Sequence, residues 1–228
     1  MKNLLSSTSA HNPAHRLWSK LALACMLATG LPSLAMAAKV SVQAVDKNGA
    51  AMADVVVYAT PIGAALPPVT KTDIATIAQS DMQFSPYVTV IRVGTQVKFP
   101  NYDKMEHHVK SFSAAKEFEI KTYERGVVPP PVMFDKPGIV IVYCLLHNWM
   151  RAYVLAVDTP YFAKTEQAGT TTLDQLPDGN YEIRAWHPNM GSVKQPLVQT
   201  IKVTDQTPLV KWQFDFVPTP RKAKAANY

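Results

Sequence analysis

Three side chains that can bind a metal stand within seven positions, in the segment Cys144-Leu145-Leu146-His147-Asn148-Trp149-Met150. The segment follows an apolar, β-branched stretch that begins at Ile139 and predicts a strand. A polar turn at 101–106 leads into a further histidine, so that a fourth ligand can come from a neighbouring strand. Two imidazoles, one thiolate and a weak axial thioether suit copper in both oxidation states. We therefore predict one copper ion held by His107, Cys144, His147 and Met150.

Zinc is the alternative occupant, because a Cys-x-x-His pair can be half of a zinc site. A structural zinc site needs further cysteine, histidine or carboxylate ligands. Beyond residue 37 the chain has one cysteine and only the histidines at 107, 108, 147 and 187, which favours copper. His108 is the alternative to His107 as the upstream ligand. His187 follows an apolar strand without partners at ligand spacing, so we expect it to be structural.

The first residues have the pattern of an export signal. Basic residues precede an apolar run that starts at Leu21, and Ala35-Met36-Ala37 offers small residues for cleavage. We predict a signal peptide over 1–37, a periplasmic mature protein, and no membrane span in the mature chain. Export leads to an oxidising compartment, where the single remaining thiol, Cys144, is an inert buried group, a partner for another chain, or a metal ligand. Its neighbours favour the metal ligand.

Charge and motifs exclude several classes of function. The whole chain carries a net charge of +6. Without residues 1–37 there are 23 − 3 = 20 basic and 17 acidic residues, a balance of +3. No basic run interleaved with aromatic residues indicates nucleic-acid binding. No Gly-x-Ser-x-Gly, His-Glu-x-x-His or phosphate-loop motif occurs either, so we do not expect an enzyme.

Hydrophobic alternation between turn signals predicts a mostly β protein, since no window beyond residue 38 keeps a helical period. The predicted strands cover 39–44, 55–59, 74–79, 88–93, 96–100, 108–112, 139–144, 152–157, 169–173, 181–187, 198–203 and 211–216. Proline-containing linkers at 64–72 and 157–164 bracket a sandwich-sized middle block. We predict one domain over 73–158, an outer β domain built from 38–66 and 159–217, and a disordered tail over 218–228. Two tandem domains remain the alternative to an insertion.

The block from 74 to 158 resembles the cupredoxins, most closely the amicyanin type, in its Cys-x-x-His-x-x-Met spacing. Further matching segments are 94–101, His107-His108-Val109 and 134–138. The mature chain as a whole resembles the cupredoxin-containing methylamine utilisation proteins, which carry a carboxypeptidase-regulatory-like β domain. This resemblance implies an all-β fold, with a cupredoxin Greek-key β-sandwich plus an immunoglobulin- or transthyretin-like β domain. It also implies one type 1 (blue) copper ion that carries single electrons between transient protein donors and acceptors.

Two other functions remain open: copper storage or delivery, and a scaffold in which the metal only stabilises the fold. The sequence also departs from the cupredoxin pattern at two positions. His108 stands where many cupredoxins have an asparagine whose side chain ties the two ligand-bearing loops together. Leu146 replaces a frequent proline and therefore offers a backbone N–H. We expect this N–H to bond the Cys144 sulfur, which would favour Cu(I) and raise the reduction potential.

Overall fold

The computed structural model describes residues 37–70 and 73–221, and it is all-β. The predicted signal peptide, apart from residue 37, and the tail from residue 222 onward lie outside the described residues. The strands are β1 (Ala38–Val45), β2 (Val56–Pro61), β3 (Ile74–Thr76), β4 (Ala78–Ser80), β5 (Gln83–Ser85), β6 (Val88–Arg92), β7 (Gln96–Lys98), β8 (His107–Ser113), β9 (Lys116–Tyr123), β10 (Val132–Met133), β11 (Gly138–Tyr143), β12 (Arg151–Val157), β13 (Phe162–Lys164), β14 (Thr170–Leu176), β15 (Gly179–Trp186), β16 (Leu197–Val203) and β17 (Val210–Gln213). One short 3-10 helix, η1, spans Pro188–Met190. No helix of the described residues is long and apolar enough to cross a membrane.

A five-stranded sheet in the order β6-β12-β11-β8-β9 carries the central part of the chain. The β10-β7-β3 sheet and the β4-β5 hairpin lie opposite it, because side chains from both sides meet in one buried cluster. Val140 and Val154 come from the five-stranded sheet, and Phe84 and Val97 come from the opposite side. The predicted all-β sandwich fold is confirmed in this arrangement.

Two further sheets, β14-β1-β17 and β13-β2-β15-β16, enclose a second core. They combine strands from both ends of the described chain: β1 pairs with β14 and β17, and β2 pairs with β13 and β15. The residue bounds of the predicted domains, and the type of this second β unit, stay predictions.

Strand β12 is buried on both faces, which explains its continuous apolar sequence. Successive side chains of a strand point to opposite faces. Ala152, Val154 and Ala156 therefore contribute to the first core, whereas Tyr153, Leu155 and Val157 pack in the second. The five-stranded sheet thus separates the two cores, and the strand that follows the 144–150 segment is held firmly on both sides.

The sequence pattern did not reveal several strands. It placed none at β9, where apolar Phe118 and Ile120 alternate with charged residues on an edge strand that pairs only with β8. It also treated 157–164 as a linker, although β13 lies within that range and pairs with β2. The predicted strand 74–79 is broken into β3 and β4, and β4 forms a hairpin with β5. The turn of this hairpin contains Asp81 and Met82, both with positive φ, and it lies next to the candidate site.

Candidate metal centre

Neighbouring strand ends of the five-stranded sheet bring the candidate ligands together. His107 is the first residue of β8, and Cys144 follows β11 directly. The loop 144–150 joins the antiparallel strands β11 and β12, and β8 lies beside β11. The Cys144 N–H donates to the Met150 carbonyl at 3.2 Å, and the Met150 N–H donates to the His147 carbonyl at 2.9 Å. These two hydrogen bonds close the loop into a tight turn.

The structure brings the ligand atoms of His107, Cys144 and His147 within 4.8 Å of one another, and all three residues are buried. The two Nδ1 atoms are 3.1 Å apart, and Cys144 Sγ lies 3.5 Å from His147 Nδ1 and 3.9 Å from His107 Nδ1. A point equidistant from these three atoms in their plane lies about 2.1 Å from each of them. Imidazole nitrogen and thiolate sulfur bind zinc, a comparable divalent ion, at distances of about 2.0–2.3 Å. This set of two imidazoles and one thiolate fits a copper site.

The other candidate residues are placed differently. Met150 belongs to the same loop, and its side chain is buried. His108 turns to β9, where its Nε2 lies 2.9 Å from Glu119 Oε1. A register shift between His107 and Val109 interrupts the β8–β9 ladder at this point, and such bulges re-aim side chains next to functional sites. His187 does not belong to the cluster; it caps η1, its Nδ1 accepting the Asn189 N–H at 3.2 Å.

Hydrogen bonds stabilise the thiolate form of Cys144. Burial raises the pKa of this thiol, but hydrogen bonds from His107 and from the backbone N–H groups of His108, Leu146 and His147 lower it more. The pKa therefore lies below the ordinary value. The predicted donor, the Leu146 N–H, is among the groups that lower this pKa, whereas the two other amide donors were not predicted. The effect of the Leu146 N–H on the reduction potential stays a prediction.

The two candidate histidines differ in their electrostatic environment. Burial lowers the pKa of His107, but hydrogen bonds to Cys144 and Asp103 raise it above the ordinary value. Burial, followed by the charge of His107, lowers the pKa of His147. A metal ion binds a neutral imidazole and a thiolate, so metal binding here must displace protons.

Sequence reasoning missed Asp103, whose Oδ2 lies 2.7 Å from His107 Nε2. Burial raises the pKa of this carboxyl, but the His107 hydrogen bond and the backbone N–H groups of Met82 and Asp81 lower it overall. A carboxylate can only accept, so the His107 Nε2 carries a proton. The Nδ1 atom faces Cys144 and His147, and its lone pair would bind a metal once the proton that it shares with Cys144 is displaced. The sequence feature that could have indicated Asp103 is its place in the polar turn, as an acidic residue four positions before the predicted ligand His107.

The surroundings of the cluster combine one buried aromatic ring with exposed apolar side chains. The Trp149 ring lies 5.3 Å from the His147 ring, centroid to centroid, and its indole N–H donates to the Met82 carbonyl at 3.0 Å. Leu145 and Leu146 are 56% and 50% exposed. The loop therefore presents apolar surface beside the buried donor atoms.

No protein-family model matches the chain, and no curated protein matches it by sequence. Solved structures give partial similarities. A Cu-containing nitrite reductase from Thermus scotoductus SA-01 is 21% identical over 43% of this chain and 25% of its own, with a TM-score of 0.35. A purple cupredoxin from Nitrosopumilus maritimus is 24% identical over 36% of this chain and 99% of its own, with a TM-score of 0.33. Amicyanin from Paracoccus versutus is 19% identical over 44% of this chain and 98% of its own, with a TM-score of 0.34.

Proposed function

We propose that this chain is a periplasmic carrier of single electrons with one type 1 copper ion held by His107, Cys144 and His147, and by Met150 as the axial ligand. The observation that carries the proposal is the set of three buried donor atoms at mutual distances of 3.1 to 3.9 Å. Copper, when bound there, would supply a one-electron couple. The methylamine-utilisation type suggested by the sequence belongs to the same proposal.

Rigid positioning of the donors supports electron transfer, because a carrier works best when its ligands move little between oxidation states. Hydrogen bonds hold the donors in place. His107 is held through its Nε2 by Asp103, and two backbone hydrogen bonds close the loop that carries Cys144 and His147. The strand that follows the loop is buried on both faces. Four protein ligands would also leave no coordination position open for a substrate, which argues for a carrier rather than an enzyme.

The exposed apolar side chains of Leu145 and Leu146 support brief docking of redox partner proteins. They lie in the same loop as His147, and weak electron-transfer complexes use small interfaces. Such a surface would bring a partner close to the imidazole edge without requiring a permanent complex. The donor and the acceptor are proposed as proteins of this transient kind.

The test is a copper titration of the purified metal-free protein, followed by visible absorption and metal analysis. We expect one copper per chain and an intense thiolate-to-copper charge-transfer band, lost in Cys144→Ala and retained in His187→Asn. His187 is the matched control because it is also buried but lies outside the cluster. Repeated reduction and oxidation in voltammetry should proceed without loss of metal.

Bound copper without the thiolate band would contradict the proposed site. A normal band combined with rapid loss of copper to a chelator during redox cycling would contradict electron transfer and favour storage or delivery. Copper that affects only the unfolding temperature would favour the scaffold function.

A further inference from the structure

We infer that Asp103 and the β4–β5 turn form a bridge that positions His107 relative to the 144–150 loop, so that Asp103 is a positioning residue of the metal centre. The inference rests on the proposed function and deepens it. It concerns the contacts that hold His107 relative to the 144–150 loop.

Asp103 holds His107 and the turn at the same time. Its Oδ2 lies 2.7 Å from His107 Nε2 and accepts the Met82 N–H at 2.9 Å, while its Oδ1 accepts the Asp81 N–H at 2.7 Å. Asp81 and Met82 have φ of 53° and 54°, in the left-handed region that few residues adopt. Both amides converge on the one carboxylate, which is fixed in turn because the Asp103 N–H donates to Asn101 Oδ1 at 2.9 Å.

The same turn also holds the loop. The Met82 carbonyl accepts the Trp149 indole N–H at 3.0 Å, and the Trp149 ring packs against His147. Met82 therefore links the two residues through its backbone: its N–H donates to Asp103, and its carbonyl accepts from Trp149. A continuous path runs from His107 through Asp103, Met82 and Trp149 to His147.

The side chain of residue 108 does not provide this connection. His108 Nε2 lies 2.9 Å from Glu119 Oε1 on β9, on the side of β8 away from β11. Strands β8 and β11 share only the Tyr143–Lys110 pair in their ladder. The Ile141 N–H also donates to Ser113 Oγ at 2.9 Å and joins the two strands farther from the site. The bridge adds a constraint at His107 itself.

The bridge is tested first in the metal-free protein by amide and indole hydrogen exchange, which does not require copper. Asp103→Asn puts an NH₂ group where one carboxylate oxygen was. Either the Asp81 N–H loses its acceptor, or His107 and the Met82 N–H both do. We expect the Trp149 indole N–H to exchange at least about tenfold faster in Asp103→Asn, because Met82 contacts both residues and transmits the change. Glu119→Gln is the matched control, because it alters the neighbouring histidine–carboxylate pair outside the bridge. It should leave the exchange of Trp149 unchanged.

The second measurement is copper affinity together with the charge-transfer band and the reduction potential. We expect Asp103→Asn to weaken copper binding about 10- to 100-fold and to shift the band and the potential, while Glu119→Gln changes affinity less than about twofold. Trp149→Phe keeps a ring beside His147 but removes the indole donor. The double variant should lose less than the product of the two single losses, because both substitutions break one path.

Unchanged Trp149 exchange in Asp103→Asn, or single losses that simply multiply, would overturn the bridge. An absent thiolate band in the wild-type protein would instead overturn the proposed function, and the exchange experiment would still decide the bridge.

Discussion

His187 should make the stability of this protein depend on pH, independently of the metal centre. Its side chain is buried, 5% exposed, and packs near Phe214 and Phe216. Burial lowers the pKa of His187 to about 4, from 6.5 for an ordinary imidazole, and outweighs the opposing charge of Asp54. The folded protein therefore keeps this imidazole neutral at pH values where the unfolded chain protonates it.

The sign of the effect follows from these two pKa values. The unfolded chain takes up the proton near pH 6.5 and the folded protein only near pH 4, so stability is fully present above pH 6.5 and is lost as the pH falls towards 4. The two pKa values differ by 6.5 − 4 = 2.5. At about 1.36 kcal/mol for each pH unit, this difference corresponds to about 3 kcal/mol of unfolding free energy. About 2 kcal/mol of this is lost between pH 7 and pH 4.5.

The perturbation is His187→Asn, since asparagine does not titrate and is a good residue at a helix N-cap, where it can accept the Asn189 N–H. The assay is urea unfolding of the metal-free wild-type and variant proteins at pH 7 and pH 4.5. The wild-type protein should lose about 2 kcal/mol more of its unfolding free energy across this interval than the variant does. Equal losses in the two proteins would show that His187 is not kept neutral by burial and would refute the reasoning.

Two further substitutions test local features. Leu146→Pro removes one N–H donor from the Cys144 sulfur and should lower the reduction potential by about 40 mV, which corresponds to about 1 kcal/mol in a one-electron couple; an unchanged or higher potential in voltammetry would contradict this. Gly169→Ala should cost about 2 kcal/mol more unfolding free energy than Gly49→Ala. Both glycines have positive φ, but a Cβ at 169 would lie 2.6 Å from the Ala44 carbonyl oxygen whereas one at 49 meets nothing. Equal thermal shifts for the two alanine variants would show that the close approach is relieved at no cost.

The local sequence was sufficient to predict the β class and three of the residues that share one loop. Alternating and β-branched stretches define strands because side chains alternate across a pleated backbone. The segment from Cys144 to Met150 is short, so a single loop keeps its three candidate ligands near one another. This does not depend on how the rest of the chain folds. The N–H donor of Leu146 was predictable for the same reason, since it belongs to that loop.

The choice of the upstream histidine ligand does not follow from the local sequence in this way. His107 and His108 are adjacent, and which of them faces Cys144 depends on the register of β8 against β9, with its irregularity between His107 and Val109. Strand β9 itself was missed because its edge position allows charged residues at alternate sites. Glu119, the partner of His108, was missed with it.

The sequence by itself therefore determined the β class, most of the strands and the presence of Cys144, His147 and Met150 in one loop, because these features depend on residues a few positions apart. Only the tertiary structure decided the pairing of His107 with Asp103, and the role of the turn at Met82 between Asp103 and Trp149. Met82 and Trp149 are 67 residues apart, and their contact exists because two sheets pack face to face over a shared core. No local periodicity encodes such a contact, because it depends on how whole sheets are stacked.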